Sequence, residues 1–490
     1  MRHKVNNIIN VDPLSQIILP ATKQVASKTL FGMNNKIFKR ALFLFLSFCS
    51  WLHADPIDLT NPFNLLNQQR LAGEFLGYRP KAETNGIVLS LQSVSDLLGN
   101  TRGGEMQGGT YSGLLNLGLA IDLQKAIGWE GASFKNTWLW LYGNDVSSKF
   151  IGNSLTASSI AGQPAFRCYE LWLQQNLLHD AISLRGGLIP VDTEFMVSDT
   201  ANLFVNSTFG PPPVFTMNMP NGGPTYPMAT PGLRLALQPT SWLTLRSAFT
   251  QGNPFSQWDN KYGFDLNFGQ AGGLLNINEA EADWCKDTSS KGLPGYAKAG
   301  FWFQTGQGPQ GGEEQFNFGS PSSSAYNNGF YGIIDQKLSV VQEKATVSSD
   351  KNVVAGKDPA ASPASQTASC ICSPKGLSSF ARIGFSPDQS SIVGFYTDMG
   401  LTYTGLIPTR DADKLGVAFG YAQMGCQCRQ SFQDNGASGS GFESVAELTY
   451  SMRLAPAIAI QPDLQYIMHP GGTQQNGNAL VVGMRAVVDF

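Results

Sequence analysis

The chain has 490 residues, of which 42% are hydrophobic, 11% aromatic and only 14% charged, with 53 glycines and 27 prolines. Soluble domains carry about 25% charge, so this chain is poor in charge, yet its composition excludes a disordered chain, a collagen, a coiled coil and a bundle of membrane helices. A formal charge of -3 offers no basic face for nucleic acid, which leaves a large glycine- and aromatic-rich β-protein.

Near the start, Lys36, Lys39 and Arg40 precede an apolar run from Ala41 to Leu52 that ends in Leu52-His53-Ala54-Asp55. Basic, apolar and small is the order of a secretory signal, and the run is too short to span a bilayer, so residues 1–54 read as a signal peptide. Met33 stands just ahead of the basic cluster, and residues 1–32 fit either an extended leader or a mis-assigned start. Cleavage after Ala54 removes seven basic residues and one acid, leaving 26 against 35 and a charge of -9. An acidic exported chain is not expected to have a nucleic-acid partner.

Six cysteines remain: Cys168, Cys285 and two Cys-x-Cys pairs, Cys370 with Cys372 and Cys426 with Cys428. Zinc thiolate sites usually space their cysteines more widely, so the exported context favours disulfides among Cys370, Cys372, Cys426 and Cys428, in a pairing that spacing leaves open. No metal or other cofactor is expected.

Past the signal no apolar stretch is long enough for a membrane helix, whereas period-two alternation is frequent. Residues 55–105, with Phe63-Asn64-Leu65-Leu66-Asn67 and Leu71 to Leu76, read as a short helix-forming lead-in before the first strand. In the region that follows, 106–490, Tyr111, Leu115, Leu117, Leu119 and Ile121 alternate with Ser112, Asn116, Gly118, Ala120 and Asp122. Leu233, Leu235 and Leu237 alternate with Arg234, Ala236 and Gln238. Similar strands recur to the C-terminus, where Leu480, Val482, Met484, Ala486, Val488 and Phe490 oppose Gly483, Arg485 and Asp489. One apolar and one polar face on successive strands of about 8–11 residues fits a transmembrane barrel or a soluble sandwich. The strand length, the small residues on the polar face and the terminal Phe490 favour the barrel. The fold class is therefore all-β, a transmembrane antiparallel barrel. Residues 205–230, with Pro211-Pro212-Pro213, form an irregular loop long enough to fold over or into a pore, and 342–379 read as a long polar surface loop.

With the strands laid out, the chain resembles the carbohydrate-selective porins of the OprB family from about Leu71 to Phe490. Leu71-Ala72-Gly73-Glu74-Phe75-Leu76-Gly77-Tyr78-Arg79 resembles the family's opening motif, with Phe75 in place of its Trp. Tyr169-Glu170-Leu171-Trp172-Leu173-Gln174-Gln175, followed by Leu184-Arg185-Gly186-Gly187, is similar to a glutamate-bearing strand and its return. Phe330 to Gln336 and Phe380 to Gly384 resemble two further strands. The closest match is Gly405-Leu406-Ile407-Pro408-Thr409-Arg410-Asp411-Ala412-Asp413-Lys414, and Gln461-Pro462-Asp463-Leu464-Gln465-Tyr466 follows it. The resemblance implies about sixteen strands in the outer membrane, a narrowed middle, and passive diffusion of small sugars. Its partners would be membrane lipid and small carbohydrates, and the barrel would be a monomer or a homotrimer. The long loop and the Cys-x-Cys pairs depart from the family pattern; a structural barrel cross-linked to its neighbours through those cysteines is the alternative.

A sugar pore needs charged and amide groups for hydroxyls and aromatics for pyranose faces, held weakly enough for release. Strand parity selects which side chains reach the lumen. With Leu171, Leu173, Leu184 and Leu188 toward lipid, Glu170, Trp172, Gln174 and Arg185 point inward; by the same rule Arg234, Arg246, Asp463, Gln465 and Arg485 do so. Glu170 and Arg185, on neighbouring strands, either flank one constriction as opposed charges or solvate the wall and pair across strands, and Trp172 is either a sugar platform or a packed or interfacial ring. Trp138, Trp140 and Tyr142 share one face and read as an aromatic girdle or wall, and Asp411 and Asp413 as a charge-capped turn. An enzyme is not expected: the mature chain has only His179 and His469, without a His-Glu-x-x-His helix or a Gly-x-Ser-x-Gly elbow.

Overall fold

Alternation of period two dictates strands with one apolar face, and a sheet with no room for an edge must close on itself. The computed structural model describes residues 69–75, 77–265, 273–285, 292–305, 326–341, 375–434 and 439–490. The expected signal peptide, Cys370 and Cys372 lie outside them. Sixteen antiparallel strands form one closed barrel. They are β1 (Ile87–Gly104), β2 (Gly108–Asp122), β3 (Ala132–Gly143), β4 (Ala165–Leu177), β5 (Ile182–Ile189), β6 (Thr230–Thr240), β7 (Leu243–Gln251) and β8 (Leu274–Trp284). The second half comprises β9 (Gly295–Thr305), β10 (Tyr326–Lys337), β11 (Gly376–Phe385), β12 (Val393–Thr404), β13 (Lys414–Met424), β14 (Phe442–Ala455), β15 (Ile458–Met468) and β16 (Gly477–Asp489). Each strand pairs with its sequence neighbours, and β16 closes on β1 with Arg485 opposite Asp96.

The first strand falls inside the stretch read as a lead-in, so the barrel begins at Ile87 rather than near residue 106. Ser93 and Ser95 lie in register with outward-facing Leu115 and with Gly113, and two hydroxyls on the outer face hide the alternation. Ser95 meets Tyr111 through their hydroxyls at 3.0 Å. The lead-in does hold a helix, α1 (Tyr78–Thr84), while Leu71 to Phe75 form turns. This segment ties the chain ends together: Leu71 N–H donates to Asp489 O at 2.8 Å, and Arg79 donates to the backbone oxygen of Phe490 at 3.2 Å. Both barrel termini thus sit at one rim, shared with the tight β6–β7 and β14–β15 turns. At that rim Asp413 is bonded by Arg410 at 2.8 Å and by the Tyr450 hydroxyl at 2.7 Å, the charge-capped turn expected there.

Outer and inner faces separate as parity requires. Leu97, Leu233, Phe330, Met399 and Leu448 are exposed on the outside, whereas Asp96, Glu279, Asp335, Arg382, Asp398 and Glu447 are buried within. Trp140 is exposed outside, and Trp138 stacks on Phe166 with ring centroids 5.0 Å apart, the outer aromatic wall expected of that strand. Leu188 departs from its expected lipid contact: it is buried with Cys168, Tyr169 and Ala229, next to the register shift that β4 makes between its pairings with Thr137 and Trp138.

A barrel of this strand number encloses a lumen too wide for wall side chains to fill, and two connections from the far rim occupy part of it. A short helix, α2 (Leu123–Ile127), joins β2 to β3; the larger inward connection runs from Pro190 to Ala229, between β5 and β6, and holds the short helix α3 (Pro213–Thr216). Its Val205, Phe209, Phe215 and Met219 pack with Trp302, Tyr331, Tyr396 and Phe380 of the inner wall. The hydrophobic core of this protein is thus inside its lumen. Glycines on the inner face permit the approach: a Cβ at Gly384 would meet Val214 at 2.5 Å, and one at Gly416 would meet Leu203 at 2.7 Å. The loop expected to fold over or into the pore does fold in, from Pro190 rather than from residue 205.

Candidate pore constriction

The two inward connections are held by buried charges on the wall that meet backbone groups of the loops. Glu447 of β14 accepts the Val205 and Asn206 N–H groups at 2.6 and 2.9 Å, and Asp335 of β10 accepts from the Thr200 N–H at 2.9 Å and its hydroxyl at 2.6 Å. Arg382 of β11, bonded to Asp398, donates to the carbonyls of Thr208 at 2.9 Å and Gly210 at 2.5 Å. The smaller connection, residues 144–164, is held by Glu443, which accepts from the Ser154 and Leu155 N–H groups at 2.8 and 2.7 Å. The loops also bond each other, Ser159 N–H to Val205 O at 2.8 Å and Ser207 N–H to Thr156 O at 2.9 Å. Each carboxylate or guanidinium satisfies several loop groups at once, which a buried irregular backbone requires.

The base of the larger loop is closed by Asp192. It accepts the Tyr226 N–H at 2.9 Å and the Tyr169 hydroxyl at 3.2 Å, while Val191 N–H bonds Pro224 O at 2.7 Å. Burial pushes the Asp192 carboxyl up to about 6, against the lowering effect of those two hydrogen bonds. A carboxyl raised in the folded state favours its protonated form, so the folded protein loses stability as pH rises from the unfolded value near 4 through about 6. Asp192→Asn lacks that loss. Its unfolding free energy relative to wild type is therefore expected to grow by about 2–3 kcal/mol between pH 3 and pH 8, as urea titrations in vesicles at the two pH values would record. A difference that stays constant with pH would contradict it.

Between loop and wall, on the inner face from β3 to β9, lies a band of ion pairs. Lys135 meets Glu170 at 2.8 Å, Arg185 meets Glu194 at 2.9 Å, and Arg234 meets the same Glu194 at 2.7 Å. Farther round, Arg246 meets Glu279 at 3.1 Å and Glu281 at 2.5 Å, and Lys298 meets Glu281 at 3.5 Å. Trp172 lies within the band. Its indole N–H donates to Glu170 at 3.2 Å, and the Arg185 guanidinium sits 3.9 Å from its ring centroid. Gln174 Oε1 accepts from Arg185 and from Arg234, both at 2.8 Å.

Six of the nine inward residues expected from sequence, Glu170, Trp172, Gln174, Arg185, Arg234 and Arg246, therefore come together. Glu170 and Arg185 do not oppose one another across a gap; they lie side by side, with Trp172 between them. Trp172 is only 9% exposed, because Arg185 covers one face, so its ring holds the guanidinium rather than standing open as a platform. Asp463 and Arg485 point inward but lie outside the band, as does Gln465. Arg485 is tied to Asp96 at 2.8 Å and to the Ser159 hydroxyl at 2.9 Å, and Asp463 accepts from Gln465 at 2.7 Å. Parity gives the direction of a side chain and says nothing of a loop laid over it.

Sequence reasoning missed Lys135, Glu194, Glu279, Glu281 and Lys298. Four of them lie on strands where the same parity rule applies, so that signal was available. Glu194 is on a loop, and its only signal is indirect: Arg185 and Arg234 fall in register on β5 and β6 and need an anion between them. Among the described residues Cys426 and Cys428, in the helix α4 (Cys426–Asp434) at the loop rim, form no disulfide.

An apolar exterior, a polar charged interior and long connections folded into a sixteen-stranded barrel define a channel-forming protein of the outer membrane. The sequence profile of the carbohydrate-selective porins, OprB family, matches residues 106–490, and the chain belongs to that family. Among its relatives, Porin B of Pseudomonas aeruginosa is 24% identical over 457 residues, spanning 86% of this chain and 92% of the relative. The solved high-pH structure of Pseudomonas putida OprB shares the fold, with a TM-score of 0.70 at 21% identity, over 86% of this chain and 99% of that one. The protein is thus an outer-membrane porin for the passive, carbohydrate-selective diffusion of small sugars.

Proposed function

We propose that sugars pass along the ion-paired band, where Gln174, Arg185 and Arg246 offer contacts for hydroxyl groups and the more deeply buried Glu170, Trp172 and Arg234 hold them in place. The observation that carries this reading is the Arg185 guanidinium laid on Trp172 at 3.9 Å and held by Gln174 and Glu194. A guanidinium fixed in this way offers its remaining N–H groups without the entropy loss of ordering a long side chain. Because each charge of the band has an opposite partner, the wall presents donors and acceptors without a strong net field, which suits a neutral polyol and permits its release. We assign the chain no covalent chemistry on its cargo: Glu170, Glu194, Glu279 and Glu281 of the band are held in ion pairs. One chain supplies every group of the band, so a single barrel is the permeation unit whether it stands alone or in a trimer.

Swelling of liposomes holding the purified protein tests this. Monosaccharides are expected to permeate faster than amino acids of similar size. Arg185→Ala is expected to reduce that preference by about two- to tenfold, the worth of one hydrogen bond of about 0.5–1.5 kcal/mol. Equal rates for all solutes, or a preference untouched by Arg185→Ala, would refute the proposed contact surface.

A further inference from the structure

Arg185 and Arg234 stand directly opposite each other on β5 and β6, on the same inner face. Like charges in that relation repel, and an uncompensated pair would draw anions into the lumen, since a narrow low-dielectric cleft of one sign concentrates counter-ions. The anionic group that pairs with both arginines does not come from the barrel wall. It is Glu194, at the start of the inward loop, with Oε1 2.9 Å from Arg185 and Oε2 2.7 Å from Arg234. The loop fixes it on both sides: Glu194 N–H closes the Val191–Thr193 turn by bonding Val191 O at 3.2 Å, and Met196 N–H bonds Glu279 at 2.9 Å. The side chain keeps 22% exposure, against 3% for Arg234, so the carboxylate stands between the arginines and the water of the pore.

We propose that Glu194 is the built-in counter-anion of the Arg185–Arg234 pair, and that by occupying the place an incoming carboxylate or phosphate would take it makes the pore discriminate against anionic sugars. This rests on the band being the permeation path. A sugar carboxylate approaching the pair meets a fixed negative charge already bonded to both guanidiniums. A neutral sugar meets only hydrogen-bonding groups. Charge discrimination is thus a property of the loop, while hydroxyl contact is a property of the wall.

The test compares glucose with gluconate in liposome swelling, and measures the chloride-to-potassium permeability ratio across bilayers under a KCl gradient. Wild type is expected to pass glucose faster than gluconate. Glu194→Gln is expected to raise the chloride-to-potassium ratio and the gluconate rate by at least about threefold, on the scale by which a cleft of one sign enriches counter-ions. Arg234→Gln, which leaves Glu194 facing one arginine, is expected to shift the ratio toward potassium, and Glu194→Gln with Arg234→Gln to return it to the wild-type value. A ratio unchanged in Glu194→Gln overturns the inference. Should that variant not assemble, a ratio unchanged or raised in Arg234→Gln overturns it equally. Wild-type glucose uptake is read separately, so failure of the sugar path is distinguishable from failure of the charge filter.

Discussion

Arg382→Ala is expected to release the inward loop, giving a larger and less selective pore in a less stable barrel. Arg382 and its partner Asp398 are both buried, and the guanidinium donates to Asp398, Thr208 O and Gly210 O. Removing one member of such a pair leaves an uncompensated charge, at about 3–5 kcal/mol. The freed loop carbonyls add to that unless they reach water, which they do only by lifting the loop off the wall. Single-channel conductance should therefore rise several-fold and lose its discrimination among solutes, and the urea midpoint in vesicles should fall. Replacing Arg382 and Asp398 together by Leu is expected to recover much of the stability, because no charge is left buried, but not the closed loop. Wild-type conductance in Arg382→Ala would show that hydrophobic packing of Phe209, Phe215 and Met219 suffices to hold the loop.

Leu448→Arg is expected to destabilise the barrel by about 2–4 kcal/mol, the cost of an arginine near the bilayer midplane. Leu448 lies midway along β14 with its side chain exposed to the outside, while its neighbour Glu447 is 1% exposed and bonds the loop. Adjacent residues of one strand thus meet opposite solvents. Unfolding titrations of the variant in thin and thick bilayers would check the value. A change within about 0.5 kcal/mol, normal for a surface site, would mean that this face of β14 does not meet lipid.

These two substitutions locate the forces that build the site. Burial of apolar strand faces in lipid closes the barrel, and no part of that term distinguishes an open pore from a constricted one. Constriction comes from a second, internal set of interactions: Asp335, Arg382, Glu443 and Glu447 meeting backbone groups of two loops, and an apolar cluster under them. Water-exposed irregular backbone would be cheaper to solvate, so the loops stay in the lumen only because wall charges replace the water they lose. The same device sets the ionic band, where Glu194 on a loop completes charges that the wall leaves unbalanced.

How much of this was legible differs by the range of the signal. Period-two alternation is local, and it suffices to give the barrel, its two faces and the inward direction of Glu170, Trp172, Gln174, Arg185, Arg234 and Arg246. It failed at β1, where Ser93 and Ser95 put hydroxyls on the lipid face. Only the folded chain settles which inward charges join the band: Asp463 and Arg485 have the same parity as Arg185, yet Arg485 is taken by Asp96 and the loop residue Ser159, and Asp463 by Gln465. It also decided that Glu170 pairs with Lys135 and Arg185 with Glu194, rather than Glu170 with Arg185. A loop has no period to read, and its path is chosen by the sum of distant contacts from β8 to β15, so the constriction it makes exists only in the folded chain.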